Sequence, residues 1–226
     1  MTVDSCPLCG GVSAPFLSDG VRDYRRCGTC ALTFLSAAQH ADPARERARY
    51  AEHRNAPDDP GYRAFLDRLL APLTARLAPG AEGLDYGCGP GPAASVMMRE
   101  RGFPTTDYDP HFAPDAGALS QTYDFVVCTE VLEHLRRPAD DLARLDGLLK
   151  PGGTLGAMTG VLEDDAAFAG WWYRSDFTHI AFYRKETLGW IARRFGWTLE
   201  RPSRDVSLFG KPALSAGGGA SPRSPR

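Results

Sequence analysis

The sequence predicts an α/β fold, a largely parallel sheet covered on both faces by helices and preceded by a small metal-binding module. Three observations predict it. From residue 83 onward, short apolar runs alternate with segments of helical periodicity, the pattern of strands joined by helical crossovers. The first of those runs opens into glycines at 87, 89 and 91, as a strand-to-helix turn at the carboxyl edge of a parallel sheet does. Ahead of it stand two Cys-x-x-Cys pairs. At 226 residues and 43% hydrophobic the chain can bury one core of ordinary size, with roughly sixty residues left for an appendage.

The module occupies residues 1–36. Cys6-Pro-Leu-Cys9, seventeen further residues and Cys27-Gly-Thr-Cys30 make two knuckles, and two such knuckles can wrap tetrahedrally around one zinc ion. The N-terminus MTVDSCPLCGG lacks the basic and apolar regions of a signal peptide, so the expected compartment is the cytoplasm, where cysteines point to metal or catalysis before disulfides. Cys6, Cys9, Cys27 and Cys30 are therefore the predicted ligands of a structural zinc with no open coordination position, redox pairs or buried thiols being the alternatives. Pro7, Gly10 and Gly11 suit the first tight turn, whereas the second knuckle lacks a glycine after Cys30. Cys88 and Cys128 lie in or beside apolar strand contexts and read as core residues.

Residues 37–79 read as a helical bridge. Leu66, Leu69, Leu70, Leu73 and Leu77 follow helical spacing, with Pro72 kinking or restarting the helix. In the α/β domain, residues 80–211, the pattern predicts strands at 83–86, 104–108 and 124–129 and helices at 92–101 and 137–149. After a turn at Lys150–Gly153 come a strand at 154–158, a helix at 184–195 and closing strands at 197–201 and 206–210. Only fourteen residues separate Asp109 from Asp124, too few for a helix, a strand and their connections, so one crossover is trimmed. Residues 212–226, rich in Gly, Ser and Pro, read as a disordered tail.

What the glycine loop holds follows from its charges. A dinucleotide fingerprint would need a third glycine at Pro92, and the segment does not end in the Gly-Lys-Ser/Thr of a P-loop. Asp85, two residues before the first glycine, would repel a pyrophosphate and attract a cation. A ligand with an amino group and a sulfonium beside a nucleoside suits such a loop. Asp109 lies twenty residues past Gly89 at the end of the next strand, where a carboxylate can accept from both ribose hydroxyls; Asp107 is its competitor, further from the strand end.

LDYGCGPG, TDYDP, YDFVVCTEVLEHL and LLKPGGTL, in that order, resemble class I S-adenosylmethionine-dependent methyltransferases over residues 80–210. The resemblance implies a Rossmann-like, mostly parallel seven-stranded sheet with an antiparallel last hairpin. It also implies contacts to the cofactor S-adenosylmethionine from Asp85, Gly87, Gly89 and Asp109, with the loop at Thr129 and Glu130 beside it. The family often binds the adenine amine with an acid after its third strand, and here Asp115 is the weak candidate.

Methyl transfer from a sulfonium is an in-line displacement, so the protein aligns the reactants and, for a poorly acidic nucleophile, takes a proton. Of five histidines, His40 and His53 lie in the bridge and His111 in the trimmed loop, leaving His134 and His179. His179 is the predicted base, with Asp176 as its orienting partner. Trp171, Trp172 and Tyr173 form a lid for an aromatic or lipophilic acceptor, or else a hydrophobic patch that closes the sheet. Glu130, Glu133 and His134 resemble the corresponding residues of ubiquinone-biosynthesis O-methyltransferases, where they are implicated in metal binding. They either hold a second, divalent metal or serve as packing and hydrogen-bonding groups.

The expected activity is methylation of a small molecule at oxygen, nitrogen or carbon. The alternatives are an RNA methyltransferase that uses the zinc ribbon for recognition, and a non-enzymatic ribbon module on a methyltransferase scaffold. The net charge of −2 gives no field to attract nucleic acid, which leaves RNA binding unsupported without excluding it. No apolar run approaches the roughly twenty residues of a membrane span.

Overall fold

The computed structural model describes residues 5–52 and 55–214. Two sheets organise them. The larger is built from β4 (Gly83–Tyr86), β5 (Thr105–Tyr108), β6 (Tyr123–Thr129), β7 (Leu149–Met158), β9 (Thr198–Glu200) and β10 (Val206–Gly210), in the order β5-β4-β6-β7-β10-β9. The first four are parallel and β10 runs antiparallel to both neighbours. The smaller sheet is antiparallel, β1 (Ser13–Ser18), β2 (Asp23–Cys27), β3 (Thr33–Leu35) and β8 (Ala181–Phe182).

Six strands, not the expected seven, make the large sheet among the described residues. The missing one would lie outside β5. The fourteen residues after Asp109 supply only a 3-10 turn at Ala116–Ser120 before β6, so β5 is left as the edge. A second difference lies at Lys150–Gly153. Helix α4 (Pro138–Leu148) feeds directly into β7, and the Pro-Gly-Gly segment sits inside that strand as an irregularity, between the pairs Tyr123↔Leu149 and Phe125↔Thr154.

The strands β6 and β4 are largely buried on both sides because helices cover both faces. On one face α2 (Pro60–Thr74) and α3 (Ala93–Glu100) bury Leu66, Leu69, Leu70, Leu73, Ala93, Met97 and Met98 against Phe125 and Val127. On the other, α4 and α5 (Lys185–Phe195) pack Leu142, Leu145, Leu188 and Ile191 over Leu84, Val126 and Cys128. Pro72 does not restart α2, which is continuous; it lies in the last turn, where few backbone bonds depend on it.

The bridge begins with α1 (Pro43–Ala51). Both α1 and α2 start on an Asp-Pro pair: Asp42 accepts from the Ala44 and Arg45 amides, Asp59 from the Tyr62 amide, and the proline follows at the first helical position. Residues 215–226, most of the predicted tail, and His53 lie outside the described residues.

Candidate active site

The four cysteines converge. The Sγ atoms of Cys6 and Cys30 lie 3.5 Å apart and those of Cys9 and Cys27 3.3 Å apart, with all four within 4.8 Å of one another. Tetrahedral Zn–S bonds of about 2.3 Å put thiolates at such separations, so the set fits a zinc ion. The knuckles are near copies of each other. Gly10 N–H donates to the Cys6 carbonyl and Ala31 N–H to the Cys27 carbonyl. Gly10 and Ala31 both have positive φ, +71° and +60°. The glycine missing after Cys30 is thus replaced by an alanine held in a left-handed conformation.

The carboxyl edge of the large sheet opens into a cavity of about 1120 Å³. Its floor is the turn between β4 and α3. Gly87 and Gly89 have φ of +81° and +65°, and a Cβ on Gly87 would lie 2.4 Å from Val131. Gly91 has a different neighbour: a Cβ there would meet the Asn55 carbonyl oxygen at 2.4 Å, because the bridge folds down over the loop.

Asp85, Gly87, Gly89, Asp109, Thr129 and Glu130 all line this cavity. Asp85 is buried; its Oδ2 accepts from Ser95 N–H at 3.2 Å and its Oδ1 has no hydrogen-bond partner. Burial, reinforced by Asp107 opposite it in the parallel ladder, pushes its pKa up to about 7. A buried carboxylate oxygen without a partner fits a ligand ammonium group. Asp109 is held by three backbone amides, those of Gly89, His111 and Phe112. Asp107 instead pairs with Arg99 and is not among the cavity-lining residues. Asp115 is exposed and caps the turn at Ala116–Ser120, so it is not available to an adenine in this cavity.

The far end of the cavity holds the two imidazoles. His179 Nδ1 lies 2.6 Å from the Tyr173 carbonyl oxygen and His134 Nδ1 3.0 Å from that of Thr178. A carbonyl oxygen only accepts, so each Nδ1 carries a proton, and a neutral His179 ring keeps its lone pair on Nε2. Burial lowers the pKa of His179. Behind them lies fully buried Glu133, which accepts from the Tyr173 hydroxyl at 2.6 Å and the Thr159 hydroxyl at 2.8 Å. Glu130 Oε2 lies 3.3 Å from the same tyrosine oxygen, and burial together with Glu133 pushes the Glu130 pKa up to about 9. Glu130 also carries the left-handed φ of +52° that turns the chain out of β6.

Three expectations are corrected here. Asp176 does not orient His179: one oxygen accepts from Thr178 and the other from Arg49 on α1. Burial works to raise its pKa, but those hydrogen bonds outweigh it and hold the carboxyl below its usual range. The group of potential metal ligands within 4.8 Å is Glu133, His134 and His179, not Glu130, Glu133 and His134. Tyr173 is no lid residue: it is buried and tied to Glu133, Trp171 stacks on it at 5.0 Å, and only Trp172 stands exposed at the rim.

Sequence reasoning missed the roof. Arg49 and Tyr50 of α1, Asn55, Tyr62 and His111 all line the cavity. Tyr50 packs edge-on to His134, the ring centroids 5.1 Å apart. The two Asp-Pro helix starts could have placed α1 and α2, but no local signal says that α1 crosses the sheet edge.

The chain belongs to the methyltransferase-domain family, whose model matches residues 50–201, and its fold is that of solved methyltransferases. It is 34% identical over 85 residues to the ubiquinone biosynthesis O-methyltransferase of Proteus mirabilis, covering 38% of this chain and 35% of that protein. The corresponding enzyme of Burkholderia multivorans is 36% identical over 86 residues, with 38% and 37% covered. The matches thus span about a third of those relatives' length.

Two solved structures share the fold. One is a Burkholderia thailandensis 1,6-didemethyltoxoflavin-N1-methyltransferase with bound 1,6-didemethyltoxoflavin and S-adenosylhomocysteine (TM-score 0.55, 19% identity, 88% of this chain and 99% of that one). The other is an O-methyltransferase family protein from the same organism (TM-score 0.53, 18% identity, 74% and 63%). No helix among the described residues is long and apolar enough to cross a membrane.

Proposed function

We propose that the chain transfers the methyl group of S-adenosylmethionine to a hydroxyl oxygen of a small aromatic or lipophilic molecule, with His179 as the proton acceptor. The observation that carries it is that one cavity joins the Asp85 and Asp109 carboxylates at one end to the His134 and His179 rings at the other. The cofactor supplies an electrophilic methyl group and leaves as a neutral thioether. Asp85 takes the ammonium, Asp109 the ribose hydroxyls, and the Gly87–Gly89 turn lets the backbone approach closely. Nε2 of His179, whose tautomer the Tyr173 carbonyl fixes, would take the proton of the acceptor hydroxyl.

A small acceptor is favoured over RNA because the four arginines that line the cavity among the described residues are already paired: Arg49 with Asp176, Arg136 with Glu46, Arg137 with Asp140 and Arg144 with Asp141. Among the described residues, phosphates would find no uncommitted arginine there. Tyr50, Tyr62, Phe177 and Trp172 supply apolar wall. The O-methyltransferase names of the sequence relatives point the same way. Incubating the full chain with cofactor and a metabolite extract, and searching by mass spectrometry for compounds that gain one methyl group, tests it; methylation of RNA alone would overturn it.

One observation favours a second reading, the approach of Glu133, His134 and His179 within 4.8 Å. A divalent ion held there would lower the pKa of an acceptor hydroxyl. Titration with Mn²⁺ followed by electron paramagnetic resonance separates the two. Binding that vanishes in His134→Ala supports the ion, and no binding leaves His179 as a simple base.

A further inference from the structure

The cysteine module is joined to the site by backbone. Its last strand, β3, pairs with β8, a two-residue strand that follows His179 almost immediately, through Thr33↔Phe182 and Phe34↔Ala181. Leu35 N–H donates to the Ile180 carbonyl at 2.9 Å, and Ile180 N–H donates to the Glu133 carbonyl at 2.9 Å. The residue next to His179 is thus clamped between the module on one side and the Glu133 loop on the other. Beyond it, Leu162 N–H donates to the Tyr183 carbonyl at 2.8 Å, which ties the same segment to the end of the large sheet.

Side chains repeat the connection. Arg174 pairs with Asp19 at 2.5 Å and Arg26 with Asp165 at 2.8 Å. Tyr24 packs edge-on against Phe168 and Phe182, at 4.9 and 5.8 Å between centroids, inside a cluster that also holds Leu35, Tyr173 and Ile180. The His179 tautomer depends on the Tyr173 carbonyl and therefore on this cluster. β3 begins three residues after Cys30. A module of about thirty residues has little core of its own, and a four-cysteine site couples its folding to metal.

We propose that the four-cysteine module is a positioning element of the acceptor half: through β3 and β8 it sets His179 and Glu133 in place, and metal in the cysteine site is what holds that arrangement. It rests on the assignment of His179 to the acceptor half, and says nothing of whether His179 is a base or a metal ligand. Losing the module's order would free β8 and Ile180 before the β4 turn: the module shares a core with Leu84 and Tyr86, but the turn's own amides, those of Gly87, Cys88 and Gly89, are held by Tyr108 and Asp109.

The test uses the full chain as purified, the same protein stripped of zinc by a chelator and then resupplied with zinc, and Cys9→Ser. Three readouts are compared: hydrogen–deuterium exchange of segments 83–89 and 176–183, S-adenosylhomocysteine affinity by calorimetry, and the nitrogen spectrum of His179 in histidine-labelled protein. The expected result without zinc is loss of amide protection at 176–183 and loss of the pure Nδ1–H signature of His179. Affinity and protection at 83–89 should persist, and zinc should restore the rest. Unchanged protection at 176–183 in zinc-free protein would overturn the proposal. So would a parallel collapse of cofactor binding, since the module would then support the whole fold, or a chain that binds no zinc. None of these readouts involves turnover, so a fully active His179→Gln variant would sink the base assignment alone.

Discussion

The two ends of the cavity are built in opposite ways. The cofactor end uses residues from Asp85 to Glu130 on three adjacent strands, β5, β4 and β6, each presenting its carboxyl end to the same edge. The acceptor end collects Arg49 and Tyr50 from the bridge, His134 from the turn after β6, and Trp172 to His179 from a segment pinned by the cysteine module. A local turn chemistry places the first set. The second exists only because elements far apart in the chain pack together, so the cofactor end should tolerate damage to the module and the acceptor end should not.

The sharpest way to break that contrast is His179→Ala. Loss of a proton acceptor should cut turnover by about 10²–10⁴-fold while leaving S-adenosylhomocysteine affinity unchanged by calorimetry. With the wild type, burial lowers the pKa of His179, and only the neutral ring accepts a proton. Turnover should therefore fall as pH drops through a value below the ordinary imidazole pKa of about 6.5. An acid limb above that value would argue against His179.

Asp109→Ala probes the other end. It strands the amides of Gly89, His111 and Phe112 and removes the proposed ribose contact. A cost of about 1.5–3 kcal/mol, or roughly ten- to a hundredfold in cofactor affinity, is expected. Asp85→Asn should weaken binding by about tenfold and also remove a pH dependence. Free Asp85 titrates near 7 and a bound cation favours its ionised form, so wild-type affinity should rise with pH up to about 7 and then level, with proton release on binding below that point. A flat profile in the wild type would mean that no cation approaches Asp85.

Smaller effects sharpen the comparison. Arg49→Ala removes a half-exposed clamp on Asp176, a loss of about 1 kcal/mol or less. It should loosen α1 in hydrogen exchange without changing cofactor affinity. Ala31→Gly should relieve the left-handed strain in the second knuckle and stabilise the module by up to about 1 kcal/mol, visible as slower zinc loss to a chelator.

Much of this protein could be read from its residues alone. The glycine turn with Asp85 and Asp109, the paired cysteine knuckles and the alternation of strands and helices depend on side chains near one another in sequence. Their spacing is set by strand and helix geometry, and the missing crossover was legible as a shortage of residues between Asp109 and Asp124. What the tertiary structure decided was which distant partners those residues meet. Asp176 turned from His179 to Arg49 because α1 crosses the sheet edge. His179 took Glu130's place beside Glu133 and His134 because β8 docks on β3. Gly91 yielded to the Asn55 backbone. Strand pairing across some 150 residues carries no local signal, since it is selected by burial of shared apolar surface only when the whole chain has closed.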